Sequence, residues 1–198
     1  MGVTFAIDIQ KEQADDRKDV FDDVVAWALA KGWLTVNWMQ NRRMFVDQVV
    51  LPKAGDMREW TNDYTIVFRA YTVPFWQDDT ETEATGASIT VPGNVETVCN
   101  AEITNSSGST INTLSVAVGD STLEFTNLGL ANGETLIIDH GTNGILQIMI
   151  KNTSEIYRDA LGKRTGGSDD LFVTPGVNDI TITGGTVTKV IRCYGRYV

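Results

Sequence analysis

The stretch Ala131-Asn-Gly-Glu-Thr-Leu-Ile-Ile-Asp-His-Gly-Thr-Asn-Gly-Ile-Leu-Gln-Ile-Met-Ile150 contains two short apolar runs, and a turn-forming Asn-Gly pair precedes each of them. Short runs of β-branched and other apolar residues between such turns are typical of β-strands. The stretch therefore predicts two neighbouring strands, one over 135–139 and one over 145–150.

The rest of the second half has the same character. Turns such as Pro92-Gly93-Asn94 and Gly184-Gly185 separate further β-rich segments, and no apolar periodicity of a helix interrupts them. These segments are Ser88–Val91, Val95–Thr104, Ile111–Val118, Thr122–Phe125, Val177–Thr183 and Val187–Tyr197. Roughly eight strands of this kind predict an all-β sandwich of the jelly-roll type over residues 87–198.

The first 75 residues predict a different architecture. Val20, Val24 and Trp27 recur at helical spacing behind three aspartates, which predicts one helix over about residues 16–31 that ends at Gly32. Alternating segments predict antiparallel strands at Val3–Ile9, Trp33–Trp38, Met44–Leu51 and Asp63–Val73. We expect an α+β module, one helix on an antiparallel sheet, over residues 1–75.

The segment between the two halves, residues 76–86, is polar and acidic and lacks apolar periodicity. We therefore expect it to be a linker between two domains. All five Trp residues precede it or open it, and most of the 18 Gly residues follow it.

The chain is acidic: its 198 residues carry 26 Asp and Glu against 16 Lys and Arg, for a formal net charge of −10. This balance argues against binding of nucleic acid or of an anionic membrane surface. No apolar run approaches the roughly 20 residues that cross a bilayer. Met1–Asp8 does not have the pattern of a signal peptide, so we expect synthesis in a cytosol.

Residues that could carry catalysis or hold a metal are few. The single His, His140, lies in a turn without a neighbouring nucleophile, and the two Cys residues lack the spacing of a metal site. We expect no catalytic, cofactor or metal site, and reduced, buried thiols at Cys99 and Cys193. The polar stretch Gly162–Asp170 favours a mobile loop over a cation site.

The aromatic residues of the first half are the best candidates for contacts with other molecules. Five Trp residues within the first 76 positions exceed what a small core hides. Large aromatic residues are enriched at protein interfaces, so Trp38, Phe45 and Trp60 are candidate partner or subunit contacts. Core packing is the default role of such residues, and stacking on a sugar is a further alternative.

Four segments resemble the distal tail protein family of long-tailed, siphovirus-like phages and prophages. They are Tyr64–Trp76, with its Pro-aromatic step, Leu128–Asp139, with Gly-Glu-Thr-Leu-Ile-Ile-Asp, Leu171–Ile182, with Pro-Gly-Val-Asn, and Val190–Tyr197. Their order and spacing carry the resemblance across more than half of the chain. The family has further strands ahead of the segment matched by Val3–Ile9, so we expect a shorter relative.

The resemblance implies a structural protein of the virion tail tip and no enzyme. It implies a galectin-like sandwich and a homo-oligomer, a hexameric ring that links the tail tube protein to tail fibre or baseplate proteins and supports host adhesion. An acidic lumen would let DNA slide through without binding. The alternative is a carbohydrate-binding β-sandwich module that recognises host-surface glycans, and a glycoside hydrolase is a third hypothesis that rests only on the abundant acids.

Overall fold

The structure, a computed structural model, describes residues 2–8, 22–29, 31–51, 63–141 and 144–198. The chain divides into two units, Met1–Trp76 and Gln77–Val198. Among the described residues, no helix is both long enough and apolar enough to cross a membrane.

The N-terminal unit contains short antiparallel strands and a helix, α1, described over residues 22–28. Its strands are β1 (Gly2–Asp8), β2 (Gly32–Thr35), β3 (Arg42–Val46), β4 (Gln48–Val50) and β5 (Asp63–Arg69). β5 lies between β1 and β4 in a three-stranded sheet, and its Ile66 and Phe68 are buried. β2 and β3 form a hairpin in which the buried side chains of Leu34 and Met44 lie opposite each other.

The helix differs from its predicted extent. Its described residues end at 28, and the N–H of Leu29 donates to the carbonyl of Val25 at 3.0 Å. Gly32, predicted to end the helix, instead pairs with Val46 as the first residue of β2. The glycine that the sequence pattern placed directly after the helix is therefore the first residue of the hairpin. Residues 16–21 of the predicted helix lie outside the described residues.

Asp47 ends two strands that the sequence predicted to be longer. Its carboxylate accepts hydrogen bonds from the backbone N–H groups of Tyr71 (2.6 Å) and Thr72 (2.9 Å) and from the Thr72 hydroxyl (2.6 Å). Its own N–H donates to the carbonyl of Arg69 at 2.9 Å. These bonds separate β3 from β4, predicted as one strand, and bend the chain after β5, predicted to reach Val73.

In the part of the C-terminal unit that the structure describes, the regular elements are β-strands and one 3-10 turn, Leu161–Lys163. β6 (Trp76–Asp78) runs across the boundary between the units. The next strands are β7 (Thr82–Ala84), β8 (Ser88–Val91), β9 (Thr97–Asn105), β10 (Leu114–Val118), β11 (Ser121–Phe125), β12 (Thr135–Asp139) and β13 (Gln147–Lys151). The last are β14 (Tyr157–Asp159), β15 (Arg164–Gly167), β16 (Phe172–Val173), β17 (Gly176–Thr183), β18 (Val187–Cys193) and β19 (Arg196–Tyr197).

Two of its sheets enclose a single apolar core. One has the order β15-β11-β10-β17-β8, and the other has the order β14-β13-β12-β9-β18-β7 with β16 also paired to β9. Every second residue of β9 from Thr97 to Asn105 is buried, and β10 to β13 alternate in the same way. The alternation places one face of each strand inside. The predicted β-sandwich is confirmed.

Several strands of this unit were not predicted. The expected linker over residues 76–86 carries β6 and β7, and β7 pairs with β18 at a sheet edge. The expected loop Gly162–Asp170 carries β15, in which Gly167 has φ +90° and lies so close to the backbone of Thr122 that a Cβ would collide with it. Glycine in a strand often marks such a close approach, although its sequence signal is that of a turn.

Asp47 generates a testable pH dependence. The hydrogen bonds from Thr72 and Tyr71 hold the pKa of its carboxyl below the ordinary value. Its stabilising effect is therefore present above the unfolded pKa, about 3.9, and is lost as the pH falls through the lower folded pKa. We expect Asp47→Asn to destabilise the N-terminal unit by about 1–2 kcal/mol at pH 7.

The measurement is urea unfolding followed by Trp fluorescence, since all five Trp residues lie in the N-terminal unit. The gap between wild type and Asp47→Asn should narrow below about pH 4. Asp79→Asn, at an exposed position, is the control. A gap that is constant from pH 7 to pH 3 would contradict the role given to the Asp47 charge.

Candidate interaction surface

Large aromatic side chains of the N-terminal unit are exposed to solvent. The exposed fractions are 70% for Trp38, 61% for Trp27, 60% for Tyr71 and 40% for Trp33. Exposed apolar residues scattered singly are common, but contiguous apolar surface marks sites of interaction. The local structure of the β2–β3 hairpin and of α1 decides which of these rings are contiguous.

The hairpin carries an aromatic pair with a cation above it. Trp33 on β2 lies opposite Phe45 on β3, and the two rings meet edge to face with centroids 5.2 Å apart. The guanidinium of Arg43 lies 4.1 Å from the centroid of the Trp33 ring. Cross-strand aromatic contacts and cation–π contacts hold rings in one orientation at an otherwise open surface. The hairpin therefore presents Trp33 as a rigid, partly exposed ring.

Trp38 lies in the turn that joins β2 to β3. This turn includes Asn41 at φ +62°, a left-handed conformation that asparagine tolerates. Hydrogen bonds from the N–H of Met39 to the carbonyl of Val36 (3.0 Å) and from the N–H of Arg42 to the carbonyl of Met39 (3.3 Å) close the turn. A tightly bonded turn thus holds the most exposed Trp of the described residues at the tip of the hairpin.

A small cleft lies beside the hairpin. It has a volume of about 190 Å³, and Trp27, Trp33, Leu34, Val46 and Phe68 line it. Trp27 of α1 reaches it through an edge-to-face contact with Phe68 at 5.8 Å. The cleft is too small for a drug-sized ligand but suits one apolar side chain of another protein.

The structure brings together only part of the set chosen from sequence. Trp38 is exposed, Phe45 packs against Trp33, and Trp60 lies outside the described residues. The role of these residues in partner binding stays a prediction. The sequence analysis did not predict that Trp27 and Trp33 are exposed. Trp27 follows the helical apolar spacing, which predicts burial, and Trp33 belongs to an alternating segment that predicts a half-buried strand. The excess of Trp in a short unit was the available signal.

His140 of the C-terminal unit is not the plain turn residue that we expected. It is 2% exposed, and its Nδ1 lies 2.9 Å from Oδ1 of Asn100, which also accepts the backbone N–H of His140 at 3.1 Å. Its Nε2 contacts Oδ1 of Asp170, and this oxygen accepts the N–H of Leu171 at 2.8 Å. Asp170, expected in a mobile loop, is therefore part of a partly buried polar cluster around His140.

This cluster has the connectivity of a structural tie. Both ring nitrogens of His140 face oxygen acceptors, and the contacts join the end of β12 to β9 and to Asp170, two residues before β16. A general base needs an accessible nucleophile or substrate within reach, and the nearby Cys99 is fully buried. Among the described residues, no three His, Cys, Asp or Glu side chains are grouped to hold a metal ion.

A wider cleft lies along β18 in the C-terminal unit. Its volume is about 680 Å³, and the residues that line it include Thr104, Thr188, Lys189 and Glu102. Glu102 accepts a hydrogen bond from Arg192 at 2.6 Å. The described lining residues are mainly polar, and none of them is aromatic.

Comparison with known proteins gives a likeness of fold. No protein-family model matches the chain, and no curated protein sequence matches it. The crystal structure of the Dit protein of phage SPP1, described as a paradigm of the hub adsorption apparatus in phages that infect Gram-positive hosts, matches with a TM-score of 0.67. The identity is 12%, and the match covers 100% of this chain and 78% of that chain.

Two structures of the phage P2 baseplate in its activated conformation, one with Ca and one with Sr, also match, each with a TM-score of 0.51 and 9% identity. Both matches cover 98% of this chain, with 79% and 78% of the respective baseplate chains. The predicted likeness to phage distal tail proteins is therefore confirmed at the level of fold.

Asp170 and its neighbour Asp169 make a matched pair for testing the buried cluster. Asp170→Ala leaves Nε2 of His140 and the N–H of Leu171 without an acceptor in a buried place, so we expect a loss of about 2–4 kcal/mol. Asp169 is fully exposed and lies 3.4 Å from Arg164, so Asp169→Ala should change stability by less than about 0.5 kcal/mol. Far-UV circular dichroism in a urea titration measures both, and equal effects would contradict the structural tie.

Proposed function

We propose that this protein is a structural component of a phage tail tip, a ring-forming hub that links the tail tube to fibre or baseplate proteins and supports host adhesion. The observation that carries the proposal is the likeness of fold, over the whole of this chain, to the SPP1 hub protein. Matches to two phage baseplate structures support the same role. The protein would be synthesised in the cytoplasm of the bacterial host and act in the virion.

The N-terminal unit is the proposed oligomerisation domain. Its exposed Trp27, Trp33 and Trp38 are of the residue type that most often dominates binding energy at interfaces. Arg43 adds the second residue type of that class, held against Trp33. We propose that this surface forms the contact between subunits, with a hexameric ring as the expected assembly, while the galectin-like sandwich carries the contacts for host recognition.

The charge of the chain suits a ring through which DNA passes. A net charge of −10 repels the phosphate backbone, so a lumen lined by this protein would not retain the genome as it slides.

A carbohydrate-binding sandwich is the second candidate function, and the cleft along β18 favours it. Hydroxyl groups of Thr104 and Thr188, with the charged Glu102 and Lys189, offer hydrogen-bond partners for a sugar. The proposal is weaker because the described lining lacks an aromatic ring for stacking on a pyranose. A thermal shift with host cell-wall polysaccharide tests it, and no shift would count against it.

Self-association of the purified full-length chain tests the hub proposal. We expect light scattering to give a mass several times the 21.7 kDa of one chain and negative-stain images to show annular particles. Trp38→Ser should weaken this association about tenfold or more, the effect of truncating a central interface residue.

Tyr157→Ser is the matched control, since Tyr157 is 51% exposed and lies on the sandwich. The control should leave the mass unchanged. A monomer at every concentration would contradict the ring. An intact ring in Trp38→Ser would contradict only the place given to Trp38 in the subunit contact.

A further inference from the structure

We propose that Cys99 and Cys193 form a site for a cross-strand disulfide that closes the sandwich covalently. They are the two Cys residues of the chain, and both are free thiols in the structure. They lie directly opposite each other in the antiparallel pairing of β9 with β18.

Both thiols point to the same side of the sheet. Residues opposite each other in an antiparallel pair share a face. Cys99 belongs to the buried set of β9, and Cys193 follows the buried Ile191 by two residues on β18. Both belong to the core cluster of the sandwich, with exposed fractions of 0% and 3%. The two side chains therefore meet inside the sandwich.

The hydrogen-bond pattern shows which type of pair they form. The N–H of Cys99 donates to the carbonyl of Leu171 at 2.9 Å, so it points away from β18. The N–H of Asn105, which lies an even number of residues after Cys99, also points away from β18 and donates to the carbonyl of Glu134. The N–H of the next residue, Ser106, points toward β18 and donates to the carbonyl of Thr186. Cys99 and Cys193 are thus a non-hydrogen-bonded pair.

This type of pair has the spacing that a disulfide needs. Opposite residues of a non-hydrogen-bonded pair have Cα atoms about 4.5 Å apart, with the side chains closer than in the hydrogen-bonded type. Disulfides span Cα separations of roughly 4.4–6.8 Å. A bond between the two sulfur atoms therefore fits the register of β9 and β18 without a shift of either strand.

The chemistry proceeds by exchange with a small disulfide such as oxidised glutathione. The thiolate of one cysteine attacks a glutathione sulfur and releases one glutathione. The thiolate of the second cysteine then attacks the protein sulfur of the mixed disulfide and releases the other. The two protein thiols lose two electrons and two protons, and one glutathione disulfide becomes two glutathione thiols.

Burial decides when the bond forms. It raises the pKa of both thiols, that of Cys193 to about 12, so little thiolate exists in the folded protein. Exchange should therefore be slow in the native state and fast during folding or when the C-terminal strands open. In a reducing cytosol the thiols stay free, as the sequence predicts.

The bond would tie an early strand of the sandwich to a late one. It would enclose residues 99–193, which include the strands from β9 to β18, and a closed loop of this length restricts the unfolded chain strongly. The expectation that the protein meets an oxidising environment outside a cell rests on the proposed function. The ability of Cys99 and Cys193 to form a disulfide does not. The experiments therefore distinguish a failure of disulfide formation from a failure of the proposed function.

The test refolds the full-length chain from urea with oxidised glutathione or with dithiothreitol, followed by alkylation in denaturant and intact mass measurement. We expect the oxidised sample to take up no alkyl group, to weigh two hydrogens less than the unalkylated reduced chain, and to yield a peptide that links Cys99 to Cys193. Its Tm should exceed that of the reduced chain by several degrees and return to it on reduction.

Cys193→Ala is the matched control, since it keeps Cys99 but has no partner for it. It should end as a mixed disulfide with glutathione and show no gain in Tm on oxidation. Two recovered thiols, two glutathione adducts, or a disulfide-linked dimer in the wild-type chain would each overturn the proposal. The light-scattering mass of the same samples reports separately on self-association.

Discussion

Burial of one face of β9 is the constraint on which the sandwich depends. This strand pairs with β12, β16 and β18, and every second residue from Thr97 to Asn105 is buried. A shift of one residue would exchange the apolar set Cys99, Ala101 and Ile103 for Asn100, Glu102 and Thr104. The cost of burying a carboxylate without a partner forbids that shift. The fixed register of β9 then positions the strands on both sides, and through them the cleft along β18 and the pair Cys99 and Cys193.

Polar side chains satisfy backbone hydrogen-bond donors that lie at the ends of strands. The carboxylate of Asp47 accepts hydrogen bonds from the N–H groups of the bend after β5. The ring of His140 contacts both Asn100 and Asp170 at one end of the sandwich. Each of these contacts satisfies donors that a strand end leaves without ladder partners. Asp47 directly follows β3 and His140 directly follows β12, so these contacts lie where those strands stop. The two units thus use the same device, although their architectures differ.

The proposed function assigns assembly to the N-terminal unit and host recognition to the sandwich. The N-terminal unit exposes aromatic rings on a hairpin and a helix, where Trp33 packs against Phe45 and Arg43, and Trp27 packs against Phe68. The sandwich buries a large apolar core, but it also exposes apolar side chains such as Ile156, Tyr157 and Val177. The exposed Trp residues of the N-terminal unit are the observation that favours it as the unit that assembles.

The sequence by itself determined the β-sandwich, since strands such as Ser88–Val91 and Thr135–Asp139 carry their own alternation and turn residues. It could not reveal β7, β14 or β15, which are short, polar or glycine-containing and become strands only because a neighbour offers hydrogen bonds. Tertiary structure alone decided that Asp170 meets His140 across 30 residues, that Cys99 faces Cys193, and that Trp27 and Trp33 remain exposed. The physical reason is that alternation is a local property, whereas a contact between distant residues depends on how the sheets fold over the core.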